Sequence, residues 1–170
     1  MNILFFLTPK NDVAFIYSDA NLREAIDLME AHGYSALPIL TKQGRYAGTL
    51  TEGDLLWYMK SHLNQSLKDM ELISVMEVKR RQDNSPVNAG AKMEDLLDKA
   101  MQQNFVPVLD DNKSFIGIIT RRDIMKYFSG SYKKTGNAEV IGFRVKWLFS
   151  DRRISSCHFL PASFSAVRLY

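Results

Sequence analysis

Cysteine is almost absent from this sequence: Cys157 is the single one in 170 residues, so no disulfide can form within the chain. The three histidines, His32, His62 and His158, belong to no thiol cluster and lack the spacing of a zinc site. Long hydrophobic runs are missing too, because Ile3–Leu7 is far shorter than a membrane span and has neither a basic leader nor a cleavage pattern. We therefore expect a soluble cytoplasmic protein with no metal and no membrane partner.

A charge excess of one sign is also lacking over most of the chain. The net charge of +3 comes from residues 137–170, and the part of the chain before this segment holds equal numbers of basic and acidic side chains. A nucleic-acid-binding domain usually carries a basic face on its folded body, so we expect no nucleic-acid partner. With 46% hydrophobic residues, the chain is long enough to bury one sizeable core.

What the sequence does contain is an internal repeat. Three segments recur at one constant separation along the chain, which indicates two copies of one unit. They are Pro38-Ile39-Leu40 with Pro107-Val108-Leu109, Gly48-Thr49-Leu50-Thr51 with Gly117-Ile118-Ile119-Thr120, and Asp54 with Asp123.

Each copy is predicted to have the order β-α-β-β-α. In the first copy, the β-rich run Val13–Tyr17 precedes apolar residues at helical spacing that end at Gly33; two short strands and a helix follow. One such unit cannot cover its own apolar face, whereas two packed side by side can. We predict an α/β (α+β) fold with repeats at 1–62 and 75–130, a connecting segment at 63–74 and an extension at 131–170.

The segment Gly-hydrophobic-hydrophobic-Thr-x-x-Asp that closes each copy resembles the CBS domain, which usually occurs as a tandem pair called a Bateman module. Within that family the chain is most similar to the stand-alone proteins of Gram-positive bacteria that bind cyclic di-AMP. The similar segments are Asn11-Asp12-Val13-Ala14, Gly33-Tyr34-Ser35-Ala36-Leu37-Pro38 and Thr120-Arg121-Arg122-Asp123. The resemblance implies two pseudo-two-fold clefts, each able to hold an adenosine group, and a disc-shaped homodimer.

The Thr-x-x-Asp motifs have two compatible interpretations. Thr51 with Asp54, and Thr120 with Asp123, have the spacing of a capping box that satisfies backbone N–H groups at a helix start. A carboxylate is also an acceptor suited to the two hydroxyls of a ribose. In the CBS family these positions contact the sugar and phosphate, so we retain both roles.

Two arginines distinguish the copies. Arg121 and Arg122 lie between Thr120 and Asp123, where guanidinium groups and helix-end amides both favour phosphate. An exposed arginine pair is usually only a solvated surface, but a CBS cleft favours the phosphate role. The first copy has Glu52 and Gly53 at the matching positions, and an acid there repels phosphate.

A difference in length between the two copies also indicates that their clefts are not equivalent. Matching residues of the first helices are further apart along the chain than matching residues of the strands that follow them. The second copy has therefore lost two residues, which we match to Ser35–Ala36. Small residues let a ligand approach the backbone, whose N–H and C=O groups can read an adenine edge. Thr51 and Asp54 then belong to a second, weaker cleft. The predicted main site consists of Val13, Ala14, Tyr34, Ser35, Ala36, Pro38, Thr120, Arg121, Arg122 and Asp123.

Three functions compete at this point. A ligand-gated regulator would bind cyclic di-AMP, or AMP or ATP, and would signal to an unidentified partner protein. A structural dimerisation module would bind nothing. An enzyme would need a nucleophile, a metal or an acid–base pair, and the repeats show no such arrangement, so we predict neither catalysis nor a cofactor. Residues 137–170, with a predicted strand at 140–149 and the Cys157-His158 pair, receive no function.

Overall fold

The first repeat contains its five elements in the predicted order. In the computed structural model, which describes residues 2–63, 66 and 68–135, a short strand β1 (Thr8–Pro9) precedes these five elements. The elements of the first repeat are β2 (Ile16–Tyr17), α1 (Leu22–His32), β3 (Ala36–Leu40), β4 (Tyr46–Thr51) and α2 (Glu52–Ser61). The predictions for residues 140–149, Cys157 and His158 lie outside the described residues.

The second repeat has the same order at the offsets found in the sequence. Its elements are β5 (Val87–Asn88), α3 (Met93–Gln102), β6 (Phe105–Leu109), β7 (Phe115–Thr120) and α4 (Arg121–Thr135). Short 3-10 helices occur at Ile3–Phe6, Lys10–Asp12, Asp69–Leu72 and Val75–Glu77. The predicted mixed α and β architecture is therefore confirmed.

Each repeat builds one small sheet. The first has the strand order β2-β3-β4, and the second has the order β1-β7-β6-β5, so the N-terminal strand β1 joins the second sheet. Thr8 lies beside Ile118 in this pairing. Gly117 permits the close approach, since a Cβ on it would collide with the Thr8 carbonyl. The N-terminal segment thus connects the two repeats.

The first strand of the repeat is shorter than predicted. We expected Val13–Tyr17, but β2 covers only Ile16–Tyr17, with Ile16 paired in parallel to Ile39. Pro38 precedes Ile39 and has no N–H, so the ladder cannot continue back toward Ala14. The backbone of Val13 and Ala14 is left outside the sheet as a consequence.

Helix ends follow local chemistry. The Asn21 side chain accepts the Glu24 N–H at 2.9 Å and caps the start of α1, which buries Leu22, Ala25 and Met29. Gly33 ends this helix in the left-handed conformation with φ +62°. This termination agrees with the predicted end of the helix.

The two apolar clusters draw on residues outside the five helices and strands of each repeat. Ile3 and Phe6, from the N-terminus, pack into the second cluster with Leu96 and Val106. The first cluster takes its extra residues from the chain between α2 and β5, namely Met70, Ile73, Val75 and Val78. Over the described part of the chain, no helix combines the length and the hydropathy needed to cross a membrane.

The placement of the two-residue loss at Ser35–Ala36 was wrong. Ala36 pairs with Thr51 as Phe105 pairs with Thr120, so Ala36 matches Phe105 and is not deleted. The carbonyls of Ser35 and Asn104 likewise accept the N–H groups of Glu52 and Arg121.

The missing residues lie in the turn that ends the first helix. After α1 the chain turns through Gly33 and Tyr34, whose N–H groups bond to carbonyls of the last turn. After α3 the chain becomes extended at once, at Gln103. The gap was assigned to small residues because the sequence alone does not reveal the strand register.

Candidate functional site

A cleft of about 710 Å³ lies between the repeats. Its volume is within the range of small-molecule sites. The structure brings together every residue of the predicted main site, although their binding of a ligand stays a prediction. The lining includes Val13, Ala14, Tyr34, Ser35, Ala36, Pro38, Thr120, Arg121, Arg122 and Asp123.

The wall from the first repeat offers backbone groups. No described residue forms a hydrogen bond with the N–H or the carbonyl of Ala14. Because the neighbouring Ser35 carbonyl bonds to Glu52, Ala36 occupies a non-hydrogen-bonded position opposite Thr51, and its carbonyl points away from β4. This wall of the cleft therefore contains one N–H and two carbonyls that have no hydrogen-bond partner among the described residues.

The opposite wall begins helix α4 and is basic. Arg121 and Arg122 are its first two residues, and both are exposed. The Arg121 guanidinium donates to the Asn104 Oδ1 atom, and both residues line the cleft. With Lys126 one turn further on, three cations line this end. A helix N-terminus and planar guanidinium groups together favour a phosphate ester.

Thr120 and Asp123 combine capping with an open carboxylate. The Asp123 N–H donates to Thr120 Oγ1 at 3.1 Å, and that hydroxyl donates to Asp123 Oδ2 at 2.5 Å. Asp123 Oδ1 has Lys126 Nζ at 3.8 Å, and the Asp123 side chain remains 39% exposed. One carboxylate oxygen is thus accessible as an acceptor for a hydroxyl pair.

The matching residues of the first repeat are bonded within the chain and are not accessible to a ligand. Asp54 is 2% exposed, and its Oδ2 accepts from both the N–H and the hydroxyl of Thr51. Its Oδ1 accepts the Arg81 N–H at 3.0 Å. The capping interpretation describes Asp54, which has no oxygen left for a ribose.

Tyr34 lies at the rim of the cleft. It is 40% exposed and its ring stacks on His32, with the centroids 5.3 Å apart. The exposed ring is available to a base, and stacking there stays a prediction. Phe105, from the second repeat, is buried in the floor of the same cleft.

Sequence reasoning missed several lining residues. Lys126 was detectable, because it follows Arg122 by one helical turn. Asn104 was detectable only as the counterpart of Ser35 at the strand offset, which the misplaced gap concealed. Among the described residues, no group of three His, Cys, Asp or Glu side chains is placed to hold a metal ion.

A family model for the CBS domain matches residues 6–61 and 77–130. The chain therefore belongs to the CBS-domain family and contains two copies in tandem. Proteins built from such pairs are generally regulatory modules.

Solved structures with the same fold include three that share more than a quarter of their aligned residues with this chain. A structure of CbpB in complex with c-di-AMP is 29% identical, with a TM-score of 0.67 over 76% of this chain and 85% of that one. CbpB from Streptococcus agalactiae is 28% identical, with a TM-score of 0.65 over 75% and 79%. A CBS-domain protein from Streptococcus pneumoniae is 27% identical, with a TM-score of 0.67 over 74% and 85%. The resemblance to stand-alone CBS-domain proteins that bind cyclic di-AMP is therefore confirmed.

Curated relatives contain a similar region within longer chains. The L-aspartate semialdehyde sulfurtransferase of Methanocaldococcus jannaschii is 29% identical over 116 residues, which are 67% of this chain. The inosine-5'-monophosphate dehydrogenase of the same organism is 28% identical over 115 residues, which are 68% of this chain. The match spans 21% of the length of each relative.

Proposed function

We propose that this chain is a regulatory receptor for an adenine nucleotide, most specifically cyclic di-AMP. The observation that carries the proposal is the meeting of an open backbone wall, at Ala14 and Ala36, with Arg121, Arg122 and Asp123 in one cleft. The 29% identity to a CbpB bound to c-di-AMP supports the same ligand.

The basic wall supports a phosphate ester as part of the ligand. Arg121 and Arg122 present forked donors beside the amides that begin α4, and both contacts are stronger for an anion than for a neutral group. Asp123, two residues from Arg121, supports a ribose next to that phosphate. A phosphate site with a ribose acceptor beside it suits a nucleotide better than a free phosphate.

The backbone wall supports a 6-aminopurine as the base. The Ala14 N–H is a donor, and the carbonyls of Ala14 and Ala36 are acceptors. A base with a ring nitrogen acceptor beside an amino group complements this pattern. Guanine has the reverse arrangement, with the acceptor on an exocyclic oxygen and a donor on the ring nitrogen, so a comparison with a guanine nucleotide tests this preference.

In this proposal residues 1–62 and 75–130 are the repeats, 63–74 connect them, and 131–170 are an extension.

Regulation by the bound nucleotide requires a partner protein and a stable assembly of the receptor. The exposed apolar side chains of α2, Leu56 and Met59 among them, support a homodimer. Ligand-bound and empty dimers would differ in their affinity for a partner protein.

A thermal-shift series separates the candidate ligands. The protein is melted with cyclic di-AMP, AMP, ATP or cyclic di-GMP at equal concentration. We expect the largest rise in Tm with cyclic di-AMP and none with cyclic di-GMP. A larger rise with AMP or ATP would favour an energy-sensing module, and no rise with any nucleotide would favour a structural module that binds nothing.

A further inference from the structure

In the second cleft, a buried side-chain amide binds backbone groups of the second repeat. Gln103 is 9% exposed and lies two residues before Phe105, the first residue of β6. Its Oε1 accepts the Ser85 N–H at 2.9 Å, and its Nε2 donates to the Ser85 carbonyl at 2.9 Å and to the Phe105 carbonyl at 3.1 Å. One amide thus satisfies one N–H and two carbonyls of the backbone.

These backbone groups are the counterparts of the open ones in the first cleft. Ser85 precedes Val87 of β5 by as many positions as Ala14 precedes Ile16 of β2, and Phe105 begins β6 as Ala36 begins β3. The two repeats therefore present the same donor and acceptors. In the first cleft these groups belong to residues that line the open volume, and in the second Gln103 binds them.

A primary amide and a 6-aminopurine edge have the same hydrogen-bonding pattern. Each offers one acceptor next to an NH₂ group with two donors. We propose that Gln103 is an internal occupant of the second cleft, which excludes a base from Ser85 and Phe105. This inference rests on the proposed function, because it presumes that the matching groups of the first cleft bind a base.

Neighbouring contacts hold the second cleft in its closed form. The Asn84 Nδ2 also donates to the Phe105 carbonyl, at 2.9 Å. Asp83 accepts the Thr49 N–H at 2.8 Å through a carboxylate that Arg80 also contacts. These partners order the segment that supplies Ser85, so the cleft is filled by the chain itself.

Two substitutions at Gln103 separate occupation of the cleft from a merely structural role. Q103A removes the amide and leaves space, whereas Q103L removes the hydrogen bonds but keeps a side chain of similar size in place. The probe is adenosine, because its lack of phosphate avoids repulsion by Glu52 at the matching helix start. Two-dimensional NMR follows the backbone amides of Ala14 and Ser85 during titration of the full chain.

We expect adenosine to shift the Ala14 amide in all three proteins and the Ser85 amide only in Q103A. Loss of the competing hydrogen bonds should strengthen binding at Ser85 by at least about tenfold in Q103A relative to the wild type. A folded Q103A whose Ser85 amide is unmoved, or a wild type whose Ser85 amide shifts as much as Ala14, would overturn the inference. Failure of Ala14 to shift in every protein would instead contradict the proposed function.

Discussion

Asp54 and Asp123 have matching positions in the two repeats but opposite surroundings. Asp54 is 2% exposed and accepts hydrogen bonds from Thr51 and from the Arg81 backbone, whereas the Asp123 side chain is 39% exposed in the cleft. A carboxylate with all its acceptor sites used stabilises the fold, and one with a free oxygen can bind a ligand. The two repeats have therefore diverged at the same chemical group.

Substituting each aspartate in turn tests this divergence. D123A should weaken nucleotide binding, because the ribose loses its acceptor, and D54A should leave the affinity within about twofold. For stability we expect the opposite order, with the larger loss in D54A. This variant should lose about 2–3 kcal/mol of unfolding free energy, because the Thr51 and Arg81 amides are left unpaired. This exceeds the loss of roughly 1 kcal/mol that capping alone would predict. Equal losses of affinity in calorimetry would contradict the assignment of the open cleft.

The arginine pair should contribute most of the affinity for phosphate. Replacing Arg121 and Arg122 by alanine should cost on the order of 2–5 kcal/mol of binding free energy, because charge-assisted hydrogen bonds to phosphate are lost. The matched control is R45A/K92A, since neither residue lines the cleft. Calorimetry that finds the same affinity in the double arginine variant and its control would refute this role.

Tyr46 links the first repeat to the segment before the second. Its hydroxyl lies 2.6 Å from Thr49 Oγ1 and donates to the Asn84 carbonyl at 2.9 Å. Y46F should therefore lower the free energy of unfolding by about 1–2 kcal/mol at pH 7. The control Y17F changes an exposed ring and should have little effect.

Alkaline pH gives a second measurement on Tyr46. Burial raises the pKa of Tyr46 to about 12. A raised pKa favours the protonated phenol in the folded state, so its contribution is complete below about pH 10 and is lost as the pH rises toward about 12. The stability difference between wild type and Y46F in urea unfolding should shrink over that interval; a difference that stays constant would contradict the burial of the phenol.

Exposed apolar residues on α2 predict self-association. Leu56 is 60% exposed and Met59 40%, which leaves an apolar face uncovered within one chain. Light scattering at micromolar concentration should give twice the mass of one chain. L56E/M59E should shift the mass to that of a monomer, and L72E, on a separate 3-10 helix, should not. A monomeric wild type would refute the dimer.

Much of this fold was predictable from spacing alone. The constant separation of the repeated segments determined the order of elements, because a duplicated unit must place its strands and helices at matching positions. Gly33 then located the end of the first helix correctly. Arg121, Arg122 and Asp123 were predicted to share a cleft with Ala14, and they do line one.

The features that the sequence did not predict depend on pairing between residues that are distant along the chain. The early end of the first strand depends on Pro38 facing the chain before Ile16, which is a relation between distant residues. The position of the two-residue loss depends on the register of Ala36 with Thr51. The closing of the second cleft by Gln103 was invisible for the same reason, since nothing local links Gln103 to Ser85.

Isothermal titration of the wild-type chain with cyclic di-AMP tests the central claim most directly. One strong adenosine-phosphate site per chain is expected, because the cleft with Arg121, Arg122 and Asp123 combines a basic wall with an accessible carboxylate oxygen. In the second cleft, Asp54 and the backbone of Ser85 already have partners within the chain. We expect a single class of site that D123A weakens and D54A does not. No heat of binding, or two equal sites per chain, would contradict this claim.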